Sequence, residues 1–221
     1  MNRRAIASGV VVAVVIAVVA ILTAIARPSA PEARPQAEAS SPAAPELVVR
    51  EDSHRLSKAP AGSPVFVEFL DLECEACRAA YPLVEKLRKD YEGRVEFVIR
   101  YFPIDSHANA MNAAVAVEAA ARQGKLEEMY SRMYETQAEW GEQESSQAPL
   151  FRTFAEDLGL DLSRFDSDVS SADVKARVEK DRQDGLALGV QGTPTFFLDG
   201  QMIQPNSEEG LRQLLDAAIA R

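Results

Sequence analysis

The chain has 221 residues and a formal net charge of −10, from 24 Lys and Arg against 34 Asp and Glu. Such an acidic balance repels phosphate backbones and anionic headgroups, which excludes nucleic-acid binding and peripheral attachment to an anionic membrane. The length allows one domain plus an appendage.

The appendage comes first. Residues 1–4 carry Arg3 and Arg4, and Ala5 to Ala26 follow as 22 residues without a charge. At helical rise this run covers about 33 Å, enough for a hydrocarbon core of roughly 30 Å and longer than a secretory h-region. The run is read as a transmembrane anchor over 5–26. Ala24-Ile25-Ala26 has the small-x-small pattern of a signal-peptide cleavage site, so secretion after cleavage is the alternative. With Arg3 and Arg4 before the run and only Arg27 close behind it, the expected topology is single-pass, with the N-terminus cytoplasmic and the rest extracytoplasmic in an oxidising space. Without those three arginines the net charge is −13. Residues 27–46 are rich in Pro, Ala, Ser and Glu without apolar periodicity, and read as an extended linker.

A folded domain is expected over 47–221. Leu47 to Val49 is a weak strand candidate, followed by a polar stretch to Ser63. Val65 to Leu70 (VFVEFL), entered through Pro64, is apolar enough for a central strand buried on both faces. Ala80, Leu83, Val84, Leu87 and Tyr91 recur at helical spacing, with Pro82 expected to kink the helix. Val95 to Phe102 is a second strong strand, stopped by Pro103.

From about 106 to 188 the pattern is helical. One stripe holds Leu126, Met129, Tyr130, Met133 and Tyr134; another holds Leu150, Phe151, Phe154, Ala155 and Leu158 and ends at Gly159. Ser170 with Asp173 resembles a capping box for a third long helix. Trp140 and residues 141–147 read as insertion surface without a role. TPTFFLDGQMI (193–203) gives two short strands turning at Asp199-Gly200. Asn206 or Ser207 then caps a last helix with Leu211, Leu214, Leu215 and Ile219 on its apolar face. The order describes an α/β domain: a mixed sheet flanked by helices and interrupted by a helical insertion over about 106–188.

Cys74 and Cys77, the only cysteines, lie between the central strand and the first helix. They could be a redox pair, half of a metal site or an inert staple. A thiol at a helix N-terminus meets partial positive charge that favours the thiolate, and a second thiol three positions on can resolve a mixed disulfide. Zinc wants four ligands, and His54 and His107 are not spaced to supply two; they read as ordinary polar residues. A disulfide closing so short a loop restricts little chain entropy. The redox reading is favoured. Glu68 shares its strand face with Phe66 and Leu70, so its carboxyl should be buried, raised in pKa and placed beneath the thiols as a proton acceptor for Cys77.

FVEFLDLECEAC, the strand end RYFP (100–103), HANAMNAAVAVEAAARQGK (107–125) and GVQGTPTFFLDG (189–200) together resemble the DsbA-like branch of the thioredoxin superfamily. The resemblance implies a thioredoxin fold with an inserted helical domain, a cis Pro194 facing the cysteines, Thr193 as the residue whose backbone pairs with substrate, and Glu68 as the family's buried acid. It implies an extracytoplasmic thiol:disulfide oxidoreductase with Cys74 attacking and Cys77 resolving, acting as a disulfide donor to reduced exported polypeptides. No cofactor and no metal are expected, and the chain should be a monomer. A membrane partner of DsbB or VKOR type would reset it. The alternatives are a reductase serving a cytochrome-maturation or isomerase pathway, or a non-catalytic peptide-binding chaperone. The chain departs from the strongest oxidants of the family in carrying Glu75-Ala76 between its cysteines instead of Pro-His, with Glu73 adjacent. Those carboxylates are expected to raise the Cys74 pKa and weaken the oxidant.

Overall fold

The computed structural model describes residues 45–221. The N-terminus 1–4, the anchor expected at 5–26 and the linker up to residue 44 lie outside the described residues. Among those described, no helix is long and apolar enough to cross a membrane.

The sheet is built around β2 (Val65–Leu70), which pairs in parallel with β3 (Glu96–Tyr101) on one side and antiparallel with β4 (Thr195–Leu198) on the other. β1 (His54–Arg55) and β5 (Gln201–Ile203) form the edges, giving the order β1-β3-β2-β4-β5. β2 is apolar on both faces because both are covered. Phe66 and Leu70 face one core, with Val84 and Leu87 of helix α2 (Glu75–Asp90) and Leu211 and Leu215 of helix α8 (Glu208–Ile219). Val67 and Phe69 face a second core, with Val48, Val98, Phe102 and Val190. Glu68 sits mid-strand, opposite Ile99 and Phe196. The β4–β5 turn places Asp199 and Gly200 at positive φ (49° and 80°), the conformation that an Asp-Gly hairpin selects.

The insertion is five helices: α3 (Ala110–Ala121), α4 (Leu126–Trp140), α5 (Ala148–Asp157), α6 (Leu162–Ser170) and α7 (Ala172–Ala187). α3 is mostly Ala and Val, nine of its residues are buried, and the other four helices pack on it. Small side chains let that many helix axes approach one another closely. α7 returns to the sheet, and at Gly185 an added Cβ would lie 2.6 Å from Phe102 and 3.0 Å from Phe69.

Several expectations are corrected. Leu47 to Val49 is no strand: Pro45–Val48 forms a short helical segment, α1. The carbonyls of Leu47 and Val48 are taken by Arg100, each at 2.8 Å, instead of by a sheet ladder. The first strand lies instead in the polar stretch, at His54–Arg55. Leu162–Ser170 is a helix of its own, so Ser170 ends α6 and Ser171 caps α7, accepting from the Asp173 N–H at 3.1 Å. Leu214 is 38% exposed, outside the buried face of α8. Trp140 is fully buried against Phe151, ring centroids 4.8 Å apart, and is core, not surface.

Arg100, read only as part of an apolar strand, is completely buried between the sheet and α7. It bonds Asp181 at 2.7 Å and Asp184 at 2.5 Å, and Arg177 and Arg50 pair with the same two carboxylates from outside.

Candidate active site

Cys74 is the N-cap residue of α2, in extended conformation (φ −68°, ψ 122°) and 8% exposed, while Cys77 one turn later is fully buried. Both thiols are free. The Cys74 thiol donates to the Thr193 carbonyl at 3.4 Å, which brings the chain ahead of β4 against the helix start. The Thr193–Pro194 peptide is cis, as the resemblance implied. Cys74, Cys77, Thr193 and Pro194 therefore converge at one point, 119 residues apart in sequence between Cys74 and Thr193.

The two thiols differ sharply. Cys74 is pulled down to about 5, chiefly by a hydrogen bond from the Cys77 thiol and against the cost of burial; the Thr193 hydroxyl and the backbone N–H groups of Cys77 and Ala76 add to the effect. The buried Thr193 hydroxyl has no hydrogen-bond partner, which leaves it free to donate to a thiolate. Burial pushes the Cys77 thiol far above its ordinary value, and the Cys74 and Glu68 charges push it further. Cys74 thiolate with neutral Cys77 is the favoured reduced form.

Glu68 is 2% exposed and its Oε2 has no hydrogen-bond partner, so the expected burial holds. Burial, then the neighbouring Glu85 and then Cys74, raise its carboxyl to about 8. Glu68 is thus mostly protonated at neutral pH.

Glu73 and Glu75, expected together as carboxylates flanking the thiolate, behave differently. Glu75 is exposed, but Glu73 is buried and turned into the insertion. It accepts from the backbone N–H of Asn109 at 2.6 Å and of Glu142 at 3.1 Å. Neither carboxylate is among the groups that set the Cys74 thiol. Asp71 is also buried, accepting from Glu73 N, Ile104 N and the His107 ring, each at 2.8 Å. Tyr134 donates to the Asp71 carbonyl at 3.2 Å. His54 bonds Glu118, away from the cysteines. Sequence reasoning missed Asp71, Asn109, Tyr134 and Gln137 as supports of the cysteine loop; the only signal was an acidic DLE run directly after a strand, where exposed loop acids are the commoner reading.

Among the described residues no three His, Cys, Asp or Glu side chains group to hold a metal ion. A cleft of about 390 Å³ between α3, α5 and α6, lined by Met111, Val115, Phe151 and Phe165, shares no residue with the cysteine site.

The thioredoxin family profile matches residues 57–217. The chain belongs to the thioredoxin family. Within it, the fold is similar to that of a thioredoxin-like oxidoreductase from Silicibacter pomeroyi, with TM-score 0.67 and 25% identity over 80% of this chain and 98% of that one. It is also similar to BdbD from Bacillus subtilis (TM-score 0.67, 18% identity, 76% and 94% covered) and to the oxidoreductase DsbA from Xylella fastidiosa (0.61, 21%, 79% and 96%). Among curated proteins this thioredoxin-family chain is 37% identical over 166 residues to Na(+)/H(+) antiporter NhaA 3 of Salinispora tropica. It is 36% identical over 141 residues to Na(+)/H(+) antiporter NhaA 1 of Mycolicibacterium vanbaalenii. The chain spans only 22 to 24% of the length of these relatives. The transport named for them is theirs.

Proposed function

We propose that this chain is an extracytoplasmic thiol:disulfide oxidoreductase of the DsbA-like kind that donates the Cys74–Cys77 disulfide to exported polypeptides. The observation that carries the reading is the pairing of a thiol at a helix N-terminus, at the surface edge, with a second thiol sealed beneath it beside a buried acid. A client thiolate attacks Cys74 Sγ; the Cys74–Cys77 bond breaks and its electron pair goes to Cys77, which takes a proton from Glu68. A second client thiolate attacks the client sulfur of the mixed disulfide, and Cys74 leaves as thiolate. The client loses two electrons to the cysteine pair. The donor direction is supported by the low Cys74 pKa, because a stabilised thiolate favours the reduced protein and makes its disulfide more oxidising.

In this reading residues 5–26 anchor a monomer to the cell membrane, Thr193 pairs its backbone with the client, and a membrane protein of DsbB or VKOR type reoxidises the pair. An insulin-reduction assay with Cys74→Ala as control tests the exchange activity. Equilibration with glutathione should place the pair between about −120 and −270 mV, the values of the strong oxidants and of thioredoxin. A value at or below the thioredoxin end would assign the chain to a reducing pathway instead.

A further inference from the structure

The helical insertion holds a cleft that the exchange chemistry does not use. It measures about 390 Å³ between α3, α5 and α6, far more than the water-sized voids that a packed interior retains. Its floor is buried hydrocarbon from Val115, Phe151 and Phe165, with Met111 and Val169 half-buried beside it. That floor offers no hydrogen-bonding side chain, so a polypeptide backbone entering it would be stranded, whereas a hydrocarbon tail would not. The charged lining residues are all exposed, at the mouth. Two of them neutralise each other: Arg152 donates to both oxygens of Asp166, at 2.8 and 3.1 Å. The third is Lys175 on α7. Its α7 neighbours Arg177 and Lys180 pair with Asp52 and Asp181, whereas Lys175 forms no ion pair among the described residues. Asn112 on α3 uses one amide N–H on Ser146 Oγ at 3.4 Å and has a second to offer. The mouth is therefore positive in a chain whose net charge is −10.

We propose that this cleft binds a free monocarboxylate with an unbranched hydrocarbon tail, its carboxylate at Lys175 and its tail on Val115, Phe151 and Phe165. A water occupies about 30 Å³ of liquid, so the space admits about a dozen non-hydrogen atoms, the size of decanoate. A two-chain lipid is too large for it. The volume lies in the range of small-molecule pockets, about 300–1,000 Å³, and the division into an apolar interior and a few polar groups at the mouth is theirs too. The tail leaves water while the carboxylate stays solvated beside its counter-charge. No bond is made or broken, and the site does not depend on the oxidoreductase reading.

Trp140, the only tryptophan, sets its ring 4.8 Å from that of Phe151, so its emission reports on the cleft floor. The experiment titrates the full-length protein with decanoate, below micelle-forming concentrations, and follows Trp140 emission. The change should saturate, and each CH₂ removed from the acid should weaken binding about fourfold. Lys175→Ala should weaken decanoate about threefold to fivefold, the range of an exposed ion pair, and leave decanol unchanged. Lys175→Glu should reverse the preference between decanoate and decyltrimethylammonium. Val169→Phe fills the wall of the cleft and should abolish the response, with thermal melts and Cys74 alkylation verifying that the variant is folded. Wild-type protein that binds decanol as tightly as decanoate, or a Val169→Phe variant that responds like wild type, overturns the proposal. So does sedimentation showing a dimer that Val169→Phe dissociates, because a second copy would then cover the cleft. Absence of disulfide exchange would overturn the oxidoreductase reading and leave this site standing.

Discussion

Gln137, on helix α4 of the insertion, donates its side-chain amide to the backbone carbonyls of Leu72 at 2.6 Å and Cys74 at 3.1 Å. One residue of the insertion thus holds the chain at the cysteine from 63 positions away. With Tyr134 on the Asp71 carbonyl and Glu73 reaching back to Asn109 and Glu142, the loop from 71 to 74 is bonded from both directions. The helical insertion is part of the frame that orients Cys74.

Replacing Gln137 by Leu keeps its volume and strands the buried Leu72 carbonyl, while the Cys74 carbonyl keeps the Arg78 N–H at 3.1 Å. Unsatisfied buried groups cost about 1–3 kcal/mol each, partly offset here by relaxation. Urea unfolding of the reduced variant should show a loss of about 1–3 kcal/mol. Stability within a few tenths of wild type would mean that the clamp contributes little.

Thr193→Val removes the one hydroxyl free to donate to the Cys74 thiolate. A hydrogen bond to a charged group is worth about 1.5–3 kcal/mol, so the Cys74 pKa should rise from about 5 by about one unit. The pair should become more reducing by roughly 30 mV. Thiolate absorbance against pH and glutathione equilibrium measure the two quantities separately, and they should move together.

Glu68 gives a pH signature. Its carboxyl is raised from 4.5 to about 8, so the protonated form is the one the fold favours. The stability it contributes is full below pH 4.5 and is lost as pH rises through about 8. Glu68→Gln does not titrate. The stability of the variant relative to wild type should therefore climb between pH 4.5 and 8, by an amount on the order of a few kcal/mol. Any fixed cost of burying the amide is the same at every pH and leaves this slope untouched. A flat difference across the window would show that Glu68 titrates normally.

Asp181→Ala should be the most damaging single change on the far side of the sheet. It leaves Arg100 and Arg177 partly uncompensated, the first of them fully buried. Breaking a buried pair by removing one partner costs about 3–5 kcal/mol. The variant should unfold at correspondingly lower urea, while Cys74 alkylation in the folded protein keeps its wild-type rate.

Gly185→Ala sets two effects against each other. Alanine gains about 1 kcal/mol in helix propensity, but its Cβ would lie 2.6 Å from Phe102 in a closed core. Overpacking costs about 1–3 kcal/mol, so the net change should be a loss. A more stable variant would show that Phe102 can swing aside.

The sequence by itself determined what depends on neighbours a few positions apart. Short apolar runs bounded by Pro64 and Pro103 placed β2 and β3, period-3.6 stripes placed the long helices, Asp199-Gly200 placed the hairpin, and Gly159 ended α5. Cys74 at the start of α2 was legible for the same reason: strand, loop and helix are consecutive. The burial of Glu68 followed from its alternation with Phe66 and Leu70. Helix boundaries failed where two signals overlapped, as at Ser170 and Ser171, where one short helix runs into the next. What only the tertiary structure decided depends on partners distant in the chain. Arg100 is sealed in the core because Asp184 arrives from 84 residues away, and Glu73 is turned inward because Asn109 offers its N–H from 36. Trp140 is buried because α5 folds back over it. A charged or amphipathic side chain can sit in either solvent or core at similar local cost. Its burial is settled by whether a complementary group comes to meet it, and that is set by how the helices and the sheet pack.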